Sequence, residues 1–164
     1  MQISSSVLAM QVNYSHWASH KLLTYALTLP EEDVAKHIGN SHGSLLRTFQ
    51  HTYYADRAWF HRLNNTPRPG SDFEDAGAGP SLAELDRDWW PLLTRFEQIA
   101  RNGDPLGVLR YKNLKGEPFE RPIWQVILHI VNHGTYHRGQ IASMMRQQGH
   151  QPPSTDLIYY YLQQ

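Results

Sequence analysis

Three histidines at i, i+4 spacing, His129, His133 and His137, stand inside an otherwise apolar run from Ile123 to Met145. No other stretch restricts the fold as much. On a helical wheel advancing ~100° per residue with His133 at the origin, Val126 and Met144 fall near ~20°, His137 near ~40° and Ile130 near ~60°. Ile123 and Ile141 fall near ~80° on the same wheel. An amphipathic helix must cover such a stripe with other elements. His133 and His137 therefore belong to the buried arc, and His129 to its margin. A dry core supplies few partners for a neutral imidazole. Two imidazoles one turn apart can instead aim their nitrogens at one metal ion, as the histidine pairs of zinc helices do. The alternative is a pair of core histidines held by hydrogen bonds.

The helices that cover this stripe are legible from period and caps. The first is predicted from the serines at 4–6, any of which can cap it, to about Leu27, with Val7, Met10, Tyr14, Trp17, Ala18, Leu22 and Tyr25 as its stripe. Pro30 ends it, and residues 31–40 read as a polar connector. A second helix is expected from Asn40 or Ser41 to about Leu63, burying Leu45, Thr48, Thr52, Ala55 and Trp59, with His51 at the edge of that face. Residues 64–80 have loop chemistry throughout and are long for a connection, which suggests a crossover or a loop beside a site. Ser81 and Glu84 form a capping box for a third helix with Leu82, Leu85, Trp89, Leu92, Phe96 and Ile99 on its seam. Pro91 is expected to kink that helix or split it after Trp90.

Residues 108–122 read as a hairpin turning at Lys115-Gly116. Pro122 is placed as the first residue of the last long helix, which Gly149 closes before Pro152 and Pro153. The tail, residues 156–164, is short enough for one or two packed turns. The expected fold is all-α: a four-helix bundle with one long crossover loop and a small β-hairpin before the last long helix. It is read as a single domain over residues 1–164, without internal repeats.

Composition narrows the chemistry. Ten histidines are many for 164 residues, and there is no cysteine. Disulfides, thiolate metal sites and a cysteine nucleophile are excluded, so any thiol must come from outside. Fifteen basic and fifteen acidic residues give a formal net charge of +0 without long runs of either sign. Nucleic acid and anionic membrane are therefore not expected as partners. The N-terminus lacks the basic and apolar regions of a signal peptide, and no run approaches a membrane span of ~20 residues, so a cytoplasmic protein is expected.

A third ligand must come from another element. The candidates are His51, the His16/His20 pair, His37, His42 and His129. His16 and His20 flank their stripe and read as solvated; His37, His42, His61 and His150 lie in polar contexts and read as surface residues. His51 adjoins a buried face and is the best donor outside the last helix.

At these residues the chain resembles a known family. HTYYADRAWF, at 51–60, is similar to the second-helix motif of the DinB-like (YfiT-like) superfamily, in which a His is followed by an Asp and a Trp. VNHGTYHRGQI, at 131–141, is similar to its last-helix signature, and Trp17, the hairpin and the terminal PPSTDLIYY extend the likeness over nearly the whole chain. The resemblance implies a four-helix bundle carrying a divalent metal on three histidines, which at matching positions are His51, His133 and His137. Tyr136 stands where family members often carry a further His.

Three neutral imidazoles and no carboxylate leave the full +2 charge on the ion, with a position open for an anion. Zn is the first choice, and Ni or Fe also suit imidazole. Gln140 is expected either to support His137 or to pack between helices. Asp56, ~140° from His51, reads as a surface or inter-helix salt-bridge residue, paired with Arg138; Gly139 reads as a close helix contact. Two function classes follow. One is a metal-dependent transferase or isomerase using a low-molecular-weight thiol on a small-molecule substrate, with a hydrolase as its variant. The other is a non-enzymatic metal-binding or stress-response protein. Aromatic residues in excess of what one bundle buries, among them Trp89, Trp90 and Tyr159 to Tyr161, point to a homodimer, as in many relatives.

Overall fold

The computed structural model describes residues 3–39, 42–66, 79–113 and 115–163. Its first helix, α1 (Ser5–Ala26), is capped by Ser4, whose side chain accepts from the Val7 N–H. The buried face is rotated from the expected stripe. Leu8, Val12, Ala18, Leu22 and Leu23 are buried, whereas Val7 is 51% exposed. Alanines at 9, 18 and 26, all at 0% exposure, leave room for close helix neighbours.

Residues 31–40 are not wholly irregular. A short helix, α2 (Glu31–Ala35), follows Pro30. Its first turn carries Glu31, Glu32 and Asp33, which suit the positive end of a helix, and Val34 anchors it to the core. Five residues hold too little hydrophobic period to reveal such a helix.

The next helix, α3 (Leu45–Leu63), starts later than expected because Ser44, not Asn40 or Ser41, is the cap and accepts from Arg47 N. Gly43 precedes the cap with φ 83°, a left-handed conformation that favours glycine. The expected long loop at 64–80 falls mostly outside the described residues. Beyond it, the Ser81–Glu84 capping box opens α4 (Leu82–Asn102) as read from sequence.

That helix continues through Pro91 and is not split after Trp90. Pro91 lies on the solvent face, and the carbonyl that loses its N–H partner belongs to exposed Arg87, where water can replace it. Trp89 and Leu93 hold the flanking turns in the core.

Strands β1 (Val108–Lys112) and β2 (Pro118–Pro122) pair antiparallel in the register Val108↔Pro122 to Lys112↔Pro118. Asn113 Oδ1 accepts from Lys115 N and Glu117 N and organises the turn. Pro122 ends β2 and caps α5 (Ile123–Gln147) from outside, one residue earlier than placed by sequence. Gly149, at φ 84°, follows its C-cap as expected. The tail forms one packed turn, α6 (Leu157–Tyr161).

α1 and α3 each pack against both α4 and α5, which places α1 and α3 on one diagonal of a four-helix bundle and α4 and α5 on the other. The core is built on Trp89, Phe49, Phe96, Leu22, Leu45, Leu85, Ile127, Ile141 and Met145. Trp89 and Tyr160 are both buried within the chain, so two of the aromatics that argued for a homodimer are satisfied internally. Among the described residues no helix is long and apolar enough to cross a membrane.

Candidate metal centre

The contact between α3 and α5 brings His51 to the two stripe histidines. The His51 ring centroid lies 4.6 Å from that of His137 and 5.4 Å from that of His133. His133 Nε2 and His137 Nε2 are 3.1 Å apart. Two imidazole nitrogens bound to one ion at ~2.0–2.1 Å would stand about 2.9 Å apart at a right angle and about 3.4 Å apart at the tetrahedral angle. The observed separation falls between these values, so the pair is spaced as two ligands of one centre.

Gln140 fixes which nitrogen His137 presents. Its Oε1 lies 2.7 Å from His137 Nδ1, and because a carbonyl oxygen only accepts, Nδ1 carries the proton and Nε2 the lone pair. Gln140 Nε2 in turn donates to the Tyr136 hydroxyl at 3.2 Å. Tyr136 thus both accepts from Gln140 and meets the His137 ring edge-on at 5.0 Å.

His42 is not the surface residue that its polar context suggested. It is half-buried and stacks on His51 with centroids 4.0 Å apart, and it meets His137 edge-on at 5.2 Å. One ligand atom from each of His42, His51 and His137 lies within 4.8 Å of the other two. The sequence listed it among the candidate third ligands and set it aside for its polar context, because His42 sits on a loop whose proximity to α3 and α5 exists only in the folded chain.

The electrostatics fit a cation. Burial, followed by the neighbouring imidazoles His42, His137 and His133, lowers the pKa of His51 to about 3. Burial and then His137, His129 and His42 lower that of His133 to about 4, and burial lowers that of His137. All three are neutral at pH 7, each with one lone pair to offer. The donor set suits a borderline divalent ion such as zinc, nickel or iron(II).

The surrounding polar residues fall into place differently from expectation. His129 is exposed on the margin of the stripe, its ring 5.3 Å from Trp59 and 5.9 Å from His133. Asp56 is neither a surface residue nor directly paired with Arg138. It is buried and accepts from Trp89 Nε1 at 2.9 Å, and burial raises its carboxyl to about 7. Buried Arg138 donates instead to Ser15 Oγ, Ser19 Oγ and Thr135 Oγ1. The glycine at a close contact is Gly134, where a Cβ would stand 2.8 Å from Arg138 Nη1 and 3.2 Å from Ser15 Oγ; Gly139 is exposed with open space around it.

Among the other histidines, His20 and His37 are exposed as expected. His16 is not solvated: its Nε2 is buried without a hydrogen-bond partner among the described residues, and burial lowers its pKa to about 4. His61 is partly buried and bonds Thr66 Oγ1, and His150 ties the end of α5 to Asp33 of α2 at 3.0 Å.

Protein DinB of Bacillus subtilis (strain 168) is 24% identical over 153 residues, covering 90% of this chain and 89% of that protein. The family model described as DinB family matches residues 4–164, which includes all four long helices and every histidine of the cluster. By that match, over a four-helix bundle whose second and last long helices bring their histidines together, the chain belongs to the DinB family.

Proposed function

We propose that this chain is a divalent-metal protein whose ion is held by His51, His133 and His137, with zinc the first choice and nickel or iron also suited to the donors. The observation that carries the reading is the 3.1 Å approach of His133 Nε2 to His137 Nε2 beside the His51 ring. Two neutral imidazoles at that distance share one proton between them, whereas an ion would use both lone pairs.

When bound, such an ion supplies Lewis-acid chemistry, lowering the pKa of a water or thiol that reaches it. The chain's own residues supply position and exclusion. Gln140 keeps His137 Nε2 facing inward, and the packing of α3 on α5 keeps His51 opposite the pair. Among the described residues the three-donor group whose ligand atoms lie within 4.8 Å of one another is His42, His51 and His137, without a carboxylate, and His133 adjoins it through His137. The charge of the ion would therefore stay uncompensated by the protein and favour an anionic ligand from outside. With no cysteine in the chain, a low-molecular-weight thiol is the class of co-substrate proposed, in a transferase or isomerase reaction on a small electrophile.

The test is cobalt substitution followed by titration with a panel of low-molecular-weight thiols. The expected result is a thiolate-to-cobalt charge-transfer band that disappears in His51→Ala. Absence of thiol binding, together with no hydrolysis of simple amides and esters, would reject the enzymatic reading in favour of a metal-binding protein.

A further inference from the structure

We infer that His42 is a fourth ligand of this centre, carried on the loop before α3 and exchangeable with a ligand from solution. The inference rests on the proposed three-histidine metal site and adds a residue that neither helical period nor the resemblance assigns. Three observations carry it. First, a His42 ligand atom lies within 4.8 Å of ligand atoms on both His51 and His137, so its imidazole belongs to the cluster geometrically. Second, its ring stacks on His51 at 4.0 Å and meets His137 edge-on at 5.2 Å, which sets it over the group rather than beside it.

Third, the loop around His42 is built to hold it there. Ile38 N donates to Gly43 O at 2.7 Å and ties the two ends of the turn together. Gly43 takes φ 83°, and a Cβ on it would stand 2.9 Å from the His37 ring, so glycine is required for both conformation and space. Immediately after it, Ser44 caps α3. His42 thus stands two residues before a helix cap and next to a glycine held by Ile38 N, with its imidazole against the histidines of α3 and α5.

The chemical consequence concerns access. His42, His51 and His137 bring ligand atoms within 4.8 Å of one another and His133 adjoins them 3.1 Å from His137, so that His42 bound with the helix-borne imidazoles would make an all-nitrogen set of the kind that characterises closed sites. His51, His133 and His137 are held by long helices; His42 is held by a turn, and is the ligand that can leave at least cost to the fold. It is therefore the residue that an incoming anion would replace.

The experiment uses the cobalt(II)-loaded full chain and its His42→Ala variant, with His42→Gln as a second variant that keeps a polar side chain in the loop. Far-UV circular dichroism checks that each is folded. His42→Ala is expected to keep about one cobalt per chain, to change the visible d–d spectrum, and to bind cobalt more weakly by at least the ~10-fold that loss of a supporting outer partner costs. Free imidazole is expected to restore the wild-type spectrum in His42→Ala, and azide to perturb the variant at lower concentration than the wild type. An unchanged spectrum and affinity in both variants would overturn the assignment of His42 while leaving the three-histidine site standing. Failure of the wild-type chain to bind cobalt at all would overturn the underlying metal reading itself.

Discussion

Adjacent residues of α5 serve two polar clusters that end in different states. His137 faces the imidazoles of α3 and its own helix, and Arg138, one residue on, faces α1. Around Arg138 the groups are complementary. Its guanidinium donates to three hydroxyls, its charge lies near Asp56, and Asp56 accepts from Trp89. Around His137 the imidazoles of His133, His51 and His42 gather beside the Tyr136 ring, with Gln140 accepting the one outward proton. The first cluster pairs a cation with hydroxyls and a carboxyl, whereas in the second His133 and His137 are left to each other, a hydrogen bond that a cation would replace.

The largest expected effect separates the two clusters outright. His133→Ala or His137→Ala should reduce bound metal from about one ion per chain to none, measured by elemental analysis after dialysis, with the fold retained by circular dichroism. Full occupancy in the double variant would remove the assignment. Arg138→Met should do the reverse. Loss of its buried hydrogen bonds should cost about 2–4 kcal/mol, a fall in Tm of roughly 5–15 °C, while metal content stays near one per chain. Metal loss without a stability change would show that the two clusters are not separable in this way. Gly134→Ala tests the same contact from the other side. Its Cβ would press on Arg138 Nη1 and Ser15 Oγ, for an expected cost of about 1–3 kcal/mol in denaturant unfolding.

Much of this contrast was legible in the sequence. Helical period alone places the i, i+4 histidines on one face, and the fold does bring His133 Nε2 to 3.1 Å from His137 Nε2. His51, read at the edge of a second stripe, does stand with its ring 4.6 Å from that of His137. The hairpin and the capping box are local chemistry and survived intact. What was missed depends on tertiary contact. Asp56 does lie well round α3 from His51, but α4 covers that side and presents Trp89 to it. His42 looks polar in sequence because its neighbours are, and only the meeting of its loop with α5 buries it. Pro91 was expected to kink α4 or split it after Trp90; the split does not occur, because the orphaned carbonyl of exposed Arg87 faces water, where the lost bond costs little. In the HRGQ signature the glycine assigned to close packing is exposed; Gly134, one turn earlier, has that role.

Smaller effects sharpen the comparison further. Gln140→Leu removes the acceptor of His137 Nδ1–H and should weaken metal binding about 10-fold, read by competition titration. Unchanged affinity would mean that Gln140 packs without orienting the ligand. The pH dependence of apoprotein stability should carry contributions of opposite sign, the lowered histidines His16, His51, His133 and His137 on one side and Asp56 on the other, of which His16 and Asp56 lie away from the centre. Folded His16 has its pKa lowered to about 4 from 6.5, so below pH 6.5 the unfolded chain takes up a proton that the folded chain refuses. Its contribution falls as pH drops from 6.5 toward 4. Asp56 is raised to about 7 from 3.8, so its burial destabilises fully above pH 7 and is relieved as pH falls toward 4. His16→Gln should therefore make stability less acid-sensitive in that window, and Asp56→Asn should make it more so, each by about 1–3 kcal/mol across it. Parallel shifts in urea midpoint for the two variants would contradict the opposed signs.

The most direct test of the central claim is X-ray absorption at the metal edge of the zinc-loaded full chain. If the imidazoles of α3 and α5 form the centre, the first coordination shell holds at least three imidazole nitrogens at about 2.0–2.1 Å, with the outer scattering of histidine rings. A shell of oxygen atoms alone, or one unchanged when His51, His133 and His137 are all replaced by alanine, would contradict it.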